Sequence, residues 1–208
     1  MTLEHPATIG VVGGTFNPPH LAHLALARYA QEALGLERVA LMPAYASPFK
    51  AAAPDPGPEH RLRMCALLVK ETPAISACAL EINRGGVSYT VDTLSAIHAS
   101  HPDAELTFIV GADTASTLPS WREPARLLEL ATLAVAVRNG AGRGEVLHSL
   151  EALRVDPERV RALDMPQLDV SSSRARERVA AGDPVEELLG REVAAYIAEQ
   201  GLYRGGAR

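Results

Sequence analysis

Short apolar runs alternate with longer amphipathic segments along most of this chain, and this alternation limits the possible folds more than any other sequence feature. Apolar runs of strand length occur at residues 8–12 (TIGVV), 38–42 (RVALM), 76–82, 106–110 (LTFIV) and 132–137 (TLAVAV). Apolar residues at helical spacing occur in 21–34, 59–70, 90–99, 172–181 and 191–200. Strands that alternate with helices predict an α/β fold, with a parallel sheet covered by helices on both faces. Because ligands of such sheets bind at the carboxyl ends of the strands, we expect functional residues directly after the strands.

Composition limits the size and class of the protein. The chain has 208 residues, of which 47% are hydrophobic, enough for one sizeable core. No segment resembles a linker, so residues 1–208 are predicted to form a single domain, and the Pro- and Ala-rich stretch 43–58 is interpreted as an active-site loop. The net charge of -5 argues against a general nucleic-acid-binding protein.

Cysteine spacing and hydropathy indicate the compartment. Cys65 and Cys78 have neither metal-binding nor redox-motif spacing, which predicts free thiols in a reducing compartment. Residues 1–8 lack the basic region and apolar stretch of a signal peptide, and no apolar run is long enough to span a membrane. We therefore expect a cytoplasmic protein without membrane contact.

A string of unusual composition, GGTFNPPHLAH, follows the first predicted strand at 13–23. Gly13 and Gly14 are expected to let the backbone turn sharply and a ligand approach closely. His20 and His23 share one face of the first turn of a helix, where backbone N–H groups favour anions. Two imidazoles there suit phosphoryl or adenylyl transfer, because they can donate to charge that builds on phosphate oxygens. The alternative is two histidines that only cover a helix start. The string matches neither the dinucleotide-binding glycine fingerprint nor a Walker loop.

A second polar string, SSSRAR at 171–176, opens another predicted helix. Serines are good helix N-caps, but arginines in a first turn oppose the helix dipole and need another reason to be there. Polyphosphate binding is one such reason. An ordinary serine cap followed by solvated arginines is the alternative on local sequence alone.

These two strings resemble motifs of the nucleotidyltransferases related to class I aminoacyl-tRNA synthetases. The first is similar to their paired-histidine signature, with Ala22 where many members have Gly. The second is similar to their ISSTxIR motif, in which the residues matching Ser172, Ser173 and Arg176 hold the β- and γ-phosphates of ATP. The resemblance implies a Rossmann-like fold and ATP contacts from Gly13, Gly14, Thr15, Phe16, His20, His23, Gly111, Asp113, Arg138, Ser172, Ser173 and Arg176.

Further segments resemble one branch of that superfamily, the bacterial nicotinate-mononucleotide adenylyltransferases. They are EINRGGVSYTVDTL at 81–94, FIVGADTASTLPSW at 108–121 and EVAAYIAEQGLY at 192–203, so the resemblance covers nearly the whole chain. Lys50 lies in a segment similar to the branch's PxxxxPHK, with Phe49 where the branch often has His. The resemblance implies that Trp121 stacks on the pyridine ring. It also implies that the acceptor is bound by Asn17, Lys50, Ser88, Tyr89, Thr90 and Trp121.

The resemblance implies transfer of AMP from ATP to nicotinate mononucleotide, with release of pyrophosphate. His20, His23, Lys50 and Arg176 are the expected catalytic residues. Mg²⁺ is expected to bind through the ATP phosphates, because no carboxylate cluster in the sequence suggests a protein-held metal. Alternative functions are adenylylation of nicotinamide mononucleotide or phosphopantetheine, ATP binding without turnover, and dehydrogenation. A homodimer is left open.

Overall fold

A computed structural model of the chain describes residues 6–49, 54–137, 143–153, 155–166 and 168–204. Six strands form one sheet in the order β3-β2-β1-β4-β5-β6, and every neighbouring pair is parallel. The strands are β1 Thr8–Gly14, β2 Arg38–Pro43, β3 Ile75–Ala77, β4 Glu105–Gly111, β5 Ala131–Val137 and β6 Val160–Asp164. This is the strand order of a Rossmann fold, so the predicted α/β class is confirmed.

Helices connect the strands and continue the chain after β6. They are α1 Leu21–Leu34, α2 Pro58–Leu68, α3 Leu80–Arg84, α4 Thr90–Ser100, α5 Ala112–Ala115, α6 Pro124–Leu130, α7 Arg143–Ser149, α8 Ser172–Ala181, α9 Glu186–Leu189 and α10 Arg191–Gln200. Single 3-10 turns occur at Leu118–Ser120, Glu151–Leu153 and Pro157–Arg159. No helix among the described residues combines the length and apolar composition needed to cross a bilayer.

The core has two halves, one on each face of the sheet. Neighbouring strand residues point to opposite faces, and Val11 and Val12 accordingly belong to different apolar clusters. Val12 packs with residues from α1, α2, α8, α9 and α10, whereas Val11 packs with residues from α4, α6 and α7. The predicted covering of both sheet faces by helices is therefore confirmed.

The predicted strand at 76–82 is only partly right. β3 ends at Ala77, and Leu80–Arg84 forms helix α3. The apolar residues at 80 and 82 suggested alternation, but the intervening Glu81 is buried and its carboxylate accepts a hydrogen bond from Thr93 Oγ1 at 2.6 Å. A tertiary contact thus overrides the local pattern.

Besides α3, the structure contains helices α5, α6, α7 and α9 and the edge strand β6, none of which was predicted. β6 lies in the region 140–165, where the sequence carries little signal, and only two of its side chains, Val160 and Leu163, are buried. The predicted break at 140–144 lies mostly outside the described residues, and α7 already includes Arg143 and Gly144.

The strand order places a crevice at the carboxyl ends of β1 and β4. The chain proceeds from β1 outward through β2 to β3, and then returns to place β4 on the other side of β1. Connections on the two sides of this point run in opposite directions, which leaves room for a ligand between them. The strings after β1 and β4 both end at this crevice.

Candidate active site

A cavity of about 550 Å³ opens at the carboxyl ends of β1 and β4. Its volume suits a small-molecule ligand. The structure brings most of the predicted site residues to its wall: Gly13, Gly14, Thr15, Phe16, His23, Ser88, Tyr89, Thr90, Gly111, Asp113, Trp121 and Ser172. Lys50 and Arg138 lie outside the described residues. Asn17, His20, Ser173 and Arg176 lie behind or beside this wall rather than in it, and the contacts of each are given below.

The sharp turn after β1 is made by different residues from those expected. Gly13 and Gly14 both belong to the strand, and neither has a positive φ. The backbone reverses at Phe16, whose φ is 50°, and at a cis peptide bond between Asn17 and Pro18. A Cβ on Gly13 would lie 3.4 Å from the ring of Phe108. The expectation that the glycines make the turn is therefore wrong; both line the cavity, and a Cβ on either would make only ordinary van der Waals contact.

His20 and His23 form a stacked pair at the start of α1. Their ring centroids are 3.6 Å apart and the planes are inclined by 24°. His20 is the N-cap and is only 8% exposed, whereas His23 lines the cavity. The backbone N–H of His20 donates to Nδ1 of His23 at 3.1 Å. Because Nδ1 accepts this bond, the neutral His23 ring carries its proton on Nε2, the atom able to donate to a ligand.

Helix α8 docks on the loop that precedes the histidines. Ser172 Oγ donates to the carbonyl of Pro18 at 2.9 Å. The guanidinium of Arg176 donates to the carbonyl of Asn17 at 2.6 Å and to Ser173 Oγ at 3.1 Å. The two polar strings, far apart in sequence, therefore meet at one edge of the cavity.

The other arginine of this helix start has a different explanation. Arg174 pairs with Asp169 at 2.7 Å and is half-exposed, while Ser171 is the N-cap and accepts from the N–H of Arg174. Its ion pair with Asp169 accounts for Arg174 without a phosphate ligand.

The side chain of Asn17 is held in place by hydrogen bonds at both ends of its amide group. Its Nδ2 donates to the carbonyl of Pro54 at 3.0 Å, and its Oδ1 accepts from the hydroxyl of Tyr203 at 2.6 Å. Burial, with a smaller contribution from the charge of Asp55, raises the pKa of Tyr203, which keeps this hydroxyl a donor. These contacts make Asn17 a fixed point of the loop, and its predicted contact with the acceptor stays a prediction.

Arg61 holds together the loops that form part of the cavity wall, and sequence reasoning missed this role. Its side chain is buried, pairs with Asp55 at 3.0 Å and donates to the carbonyls of Thr15, Ala44 and Tyr45 at 2.8, 2.6 and 2.9 Å. One guanidinium thus joins the loops that follow β1 and β2. A signal was present: Arg61 lies on the same helical face as the buried Met64, Cys65 and Leu68, where a charge needs partners.

Another part of the cavity wall is formed by the start of α4 and by aromatic residues. Ser88 Oγ accepts from the N–H of Tyr45 at 3.0 Å, which fixes the segment before α4. The guanidinium of Arg122 lies 4.8 Å from the ring centroid of Tyr89 and 3.3 Å from Asp92. Trp121 packs edge-on against Phe108, with ring centroids 5.9 Å apart, and its Nε1 donates to Thr117 Oγ1 at 3.0 Å. The Trp side chain is thereby fixed at the cavity wall.

A smaller cavity of about 190 Å³ adjoins the first beside the carboxyl ends of β4 and β5. The two cavities share Leu26, Gly111 and Asp113. The remaining wall is mainly apolar: Ala22, Ala112, Ala136, Val137, Met165, Pro166, Leu168 and Val170. A flat apolar group could lie here while a polar group attached to it reached the histidines.

Both cysteines are free, as predicted. Burial raises the pKa of the Cys65 thiol, and burial likewise raises that of Cys78. Neither lines the main cavity, so neither is a candidate nucleophile.

Comparison with known proteins agrees with this geometry. The family model described as Cytidylyltransferase-like matches residues 11–178. A Roseiflexus protein (strain RS-1) named "Probable nicotinate-nucleotide adenylyltransferase" is 41% identical over 198 residues, covering 95% of this chain and 98% of the relative. A Symbiobacterium thermophilum protein of the same name is 38% identical over 208 residues, covering 96% of this chain and 97% of the relative.

A solved structure has the same fold. Plasmodium falciparum nicotinic acid mononucleotide adenylyltransferase complexed with NaAD superposes with a TM-score of 0.76 at 18% identity. The superposition covers 94% of this chain and 97% of that one. Because the family model spans most of the chain and these relatives match it along nearly its whole length, the chain belongs to the nicotinate-nucleotide adenylyltransferase family of cytidylyltransferase-like proteins.

Proposed function

We propose that this protein transfers AMP from ATP to nicotinate mononucleotide, giving nicotinate adenine dinucleotide and pyrophosphate in NAD biosynthesis. The observation that carries the proposal is the stacked His20–His23 pair at a cavity whose wall also presents Trp121 and the start of α4. The histidines suit a reacting phosphate, and the Trp121 side chain suits a flat ring that stacks on it. The names of the relatives support the same reaction.

ATP would lie along the β1, β4 and α8 side of the site. The adenine would occupy the smaller cavity, whose wall includes Ala22 and Leu168, and Gly111 and Asp113 line both that cavity and the main one. The β- and γ-phosphates would lie against the start of α8, near Ser172, Ser173 and Arg176. Arg176 already donates to the loop carrying the histidines, so it can neutralise phosphate charge without moving far. Lys50 stays a predicted phosphate-neutralising residue, and Arg138 stays a predicted ATP contact.

The reaction needs little covalent help from the protein. An oxygen of the acceptor phosphate attacks the α-phosphorus of ATP, and the bond from that phosphorus to the oxygen bridging the β-phosphate breaks. Pyrophosphate leaves with the electron pair of that bond. The acceptor phosphate is already a nucleophile near neutral pH, because its second pKa is about 6. His23 would donate from Nε2 to an α-phosphate oxygen as charge builds, and His20 would hold the His23 ring in that orientation.

Magnesium is proposed as a cofactor held by the substrate. The described residues contain no group of three or more His, Cys, Asp or Glu side chains that could hold a metal ion. A cation chelated by ATP needs no such group, so this donor set fits a metal that arrives with the nucleotide. When bound, Mg²⁺ would neutralise charge on the phosphate oxygens. The cytoplasmic location stays a prediction, and a homodimer stays open.

Preference for the acid over the amide would come from the start of α4. The first N–H groups of a helix lack partners within it and favour a negative group. The carboxylate of nicotinate can accept from them, whereas the amide of nicotinamide would bring N–H donors against N–H donors. We therefore expect a strong preference for nicotinate mononucleotide, since a site built on buried hydrogen bonds can discriminate by about 10⁴ in favourable cases.

The test is pyrophosphate release from ATP with a panel of acceptors: nicotinate mononucleotide, nicotinamide mononucleotide, phosphopantetheine and none. The expected result is rapid release and a dinucleotide product with nicotinate mononucleotide only. Equal catalytic efficiency with acid and amide would show a dual-specificity enzyme and remove the carboxylate argument. ATP binding without release for any acceptor would favour a non-catalytic nucleotide-binding module.

A further inference from the structure

Two aromatic rings face each other at the acceptor end of the main cavity. The centroids of Phe49 and Trp121 are 5.7 Å apart and their planes are inclined by 31°. Both side chains line the cavity, and Phe49 is 58% exposed. A phenyl group this exposed gains little from its present packing. A ligand that covered the ring opposite Trp121 would therefore bury additional apolar area.

One of the two rings is fixed and the other is not. Trp121 is anchored by the edge-on contact with Phe108 and by its hydrogen bond to Thr117 Oγ1. Phe49 lies in the loop after β2, where its backbone N–H donates to Ser47 Oγ at 3.3 Å. A side chain in an exposed loop can shift at small cost, whereas Trp121 would have to break two contacts. Any change in the gap between the rings is therefore expected to come from Phe49.

We propose that Phe49 is the second ring of an aromatic clamp, which together with Trp121 holds the pyridinium ring of the acceptor between two faces. The inference rests on the proposed function, because it assumes a pyridine nucleotide as acceptor. Two stacked contacts of about 3.5–4 Å each need about 7–8 Å between the outer rings. The gap of 5.7 Å must therefore widen by about 1.3–2.3 Å, a displacement that the exposed loop permits.

The chemistry of the clamp selects a class of acceptor. A pyridine joined to ribose through its ring nitrogen carries a positive charge, and the faces of Phe and Trp attract cations. A flat cation between two electron-rich faces gains on both sides, whereas the flexible amide chain of phosphopantetheine gains on neither. A His at position 49 would add a ring that becomes positively charged on protonation and then repels the pyridinium. Phe49 removes that dependence on protonation.

The experiment uses the single tryptophan of the chain as its reporter. A pyridinium ring stacked on an indole quenches its fluorescence, so titration with nicotinate mononucleotide in the absence of ATP measures binding at Trp121 directly. The variants are Phe49→Ala, Phe49→Leu and Phe49→Tyr. The matched control is Tyr45→Ala, which removes a half-exposed aromatic ring from the same loop but outside the cavity wall. Steady-state kinetics on the same proteins give KM for each substrate and kcat.

The wild-type protein should be quenched by nicotinate mononucleotide, and Phe49→Ala should bind it about 3- to 10-fold more weakly. KM for this acceptor should rise by the same factor, with KM for ATP within about twofold of wild type. Phe49→Tyr should restore binding because it keeps the ring. Phe49→Leu should not, because it keeps apolar area without a π-face. Tyr45→Ala should behave as wild type.

Three outcomes would overturn the clamp. Unchanged acceptor binding in Phe49→Ala would mean that Trp121 acts alone, and tighter binding would mean that Phe49 obstructs the site. Equal binding by the Leu and Tyr variants would reduce its role to apolar contact. Each of these leaves turnover of nicotinate mononucleotide by the wild-type protein intact. Failure of the proposed function is separate, because the wild-type protein would then neither be quenched by this acceptor nor convert it.

Discussion

The orientation of one imidazole is the residue-scale feature on which the proposed chemistry depends. The N–H of His20 occupies Nδ1 of His23, and the His20 ring stacks beneath it. The pair therefore works as a unit in which His20 sets the tautomer and ring plane of His23. A donor fixed before the substrate arrives needs no rearrangement as charge builds, which is why such donors favour the transition state over the ground state.

This arrangement predicts different results for two substitutions at the same position. His23→Ala should lower kcat by about 10²–10³ and weaken ATP binding much less. His23→Gln should recover part of that loss, because the amide nitrogen of Gln can reach the place of Nε2. His20→Ala should lower kcat as well, through loss of the stacked support.

Single-turnover kinetics and ATP titrations separate the two effects. His98→Ala is the control, since this histidine is exposed on α4 and lies outside the cavity wall. Near-normal turnover combined with weakened ATP binding in His23→Ala would make His23 a binding group and contradict the assignment.

Sequence reasoning works at this scale where the function is carried by a local string. His20, His23, Ser172 and Trp121 could be predicted because their motifs are contiguous and follow predictable strands. Arg61 could not be assigned its role, since its partners are carbonyl oxygens 16, 17 and 46 residues away in the sequence. Any residue presents a carbonyl, so the sequence does not mark those positions.

At the scale of elements, helix α8 connects phosphate binding to the catalytic turn. Arg176 contacts both its own helix start, through Ser173, and the carbonyl of Asn17. Arg176→Ala should raise KM for ATP by about 10- to 100-fold, the usual range for a charge-assisted hydrogen bond, and leave acceptor affinity almost unchanged.

The neighbouring Arg174→Ala is a control on the same helix, because Arg174 pairs with the exposed Asp169. Initial-rate kinetics with each substrate varied in turn provide the measurement. Equal weakening of ATP and acceptor in Arg176→Ala would point to a structural role instead.

Helix α2 stabilises the site through one buried guanidinium. Arg61→Met should lower the free energy of unfolding by about 3–5 kcal/mol, because it leaves three carbonyl groups and Asp55 without their donor. Urea unfolding measures the change. Arg63→Ala, an exposed arginine two positions along the same helix, should stay within about 0.5 kcal/mol of the wild type. A similar loss in both variants would contradict the assignment of Arg61.

The elements that sequence reasoning missed share a physical cause. β6 is an edge strand that pairs only with β5 among the described strands, and its side chains are less apolar than those of central strands. Central strands such as β4 are buried on both faces and read as continuous apolar runs, which makes them easy to predict. Helix α3 is set by the burial of Glu81 against Thr93, a contact that only the folded chain provides.

At the scale of the whole molecule, one hydrogen bond beside the active site links the first loop of the described chain to the segment after its last helix. Asn17 lies in the first loop and Tyr203 follows the last helix, and their side chains share a hydrogen bond of 2.6 Å. Tyr203→Phe should cost about 1–2 kcal/mol of stability, because the buried Oδ1 of Asn17 loses its donor. It should also raise KM for ATP, since Asn17 supplies the carbonyl that orients Arg176.

Tyr29→Phe separates these two effects. Its hydroxyl donates to the backbone carbonyl of Asp164 at the same distance of 2.6 Å, but outside the cavity walls. The Tyr29→Phe variant should lose a comparable amount of stability, with no change in KM for ATP. Urea unfolding and ATP kinetics on both variants give the comparison, and an unchanged KM in Tyr203→Phe would reduce that residue to a stabilising contact.

The Tyr203–Asn17 bond also bears on how the enzyme is made. Its partners are 186 positions apart, so a ribosome completes the catalytic turn long before it adds the residue that secures that turn. All six strands of the sheet are synthesised before Tyr203, so the loop beneath the histidines gains this hydrogen bond only after Tyr203 has left the exit tunnel. A chain that lacks Tyr203 would keep the residues of the catalytic turn and lose one of the contacts that hold it.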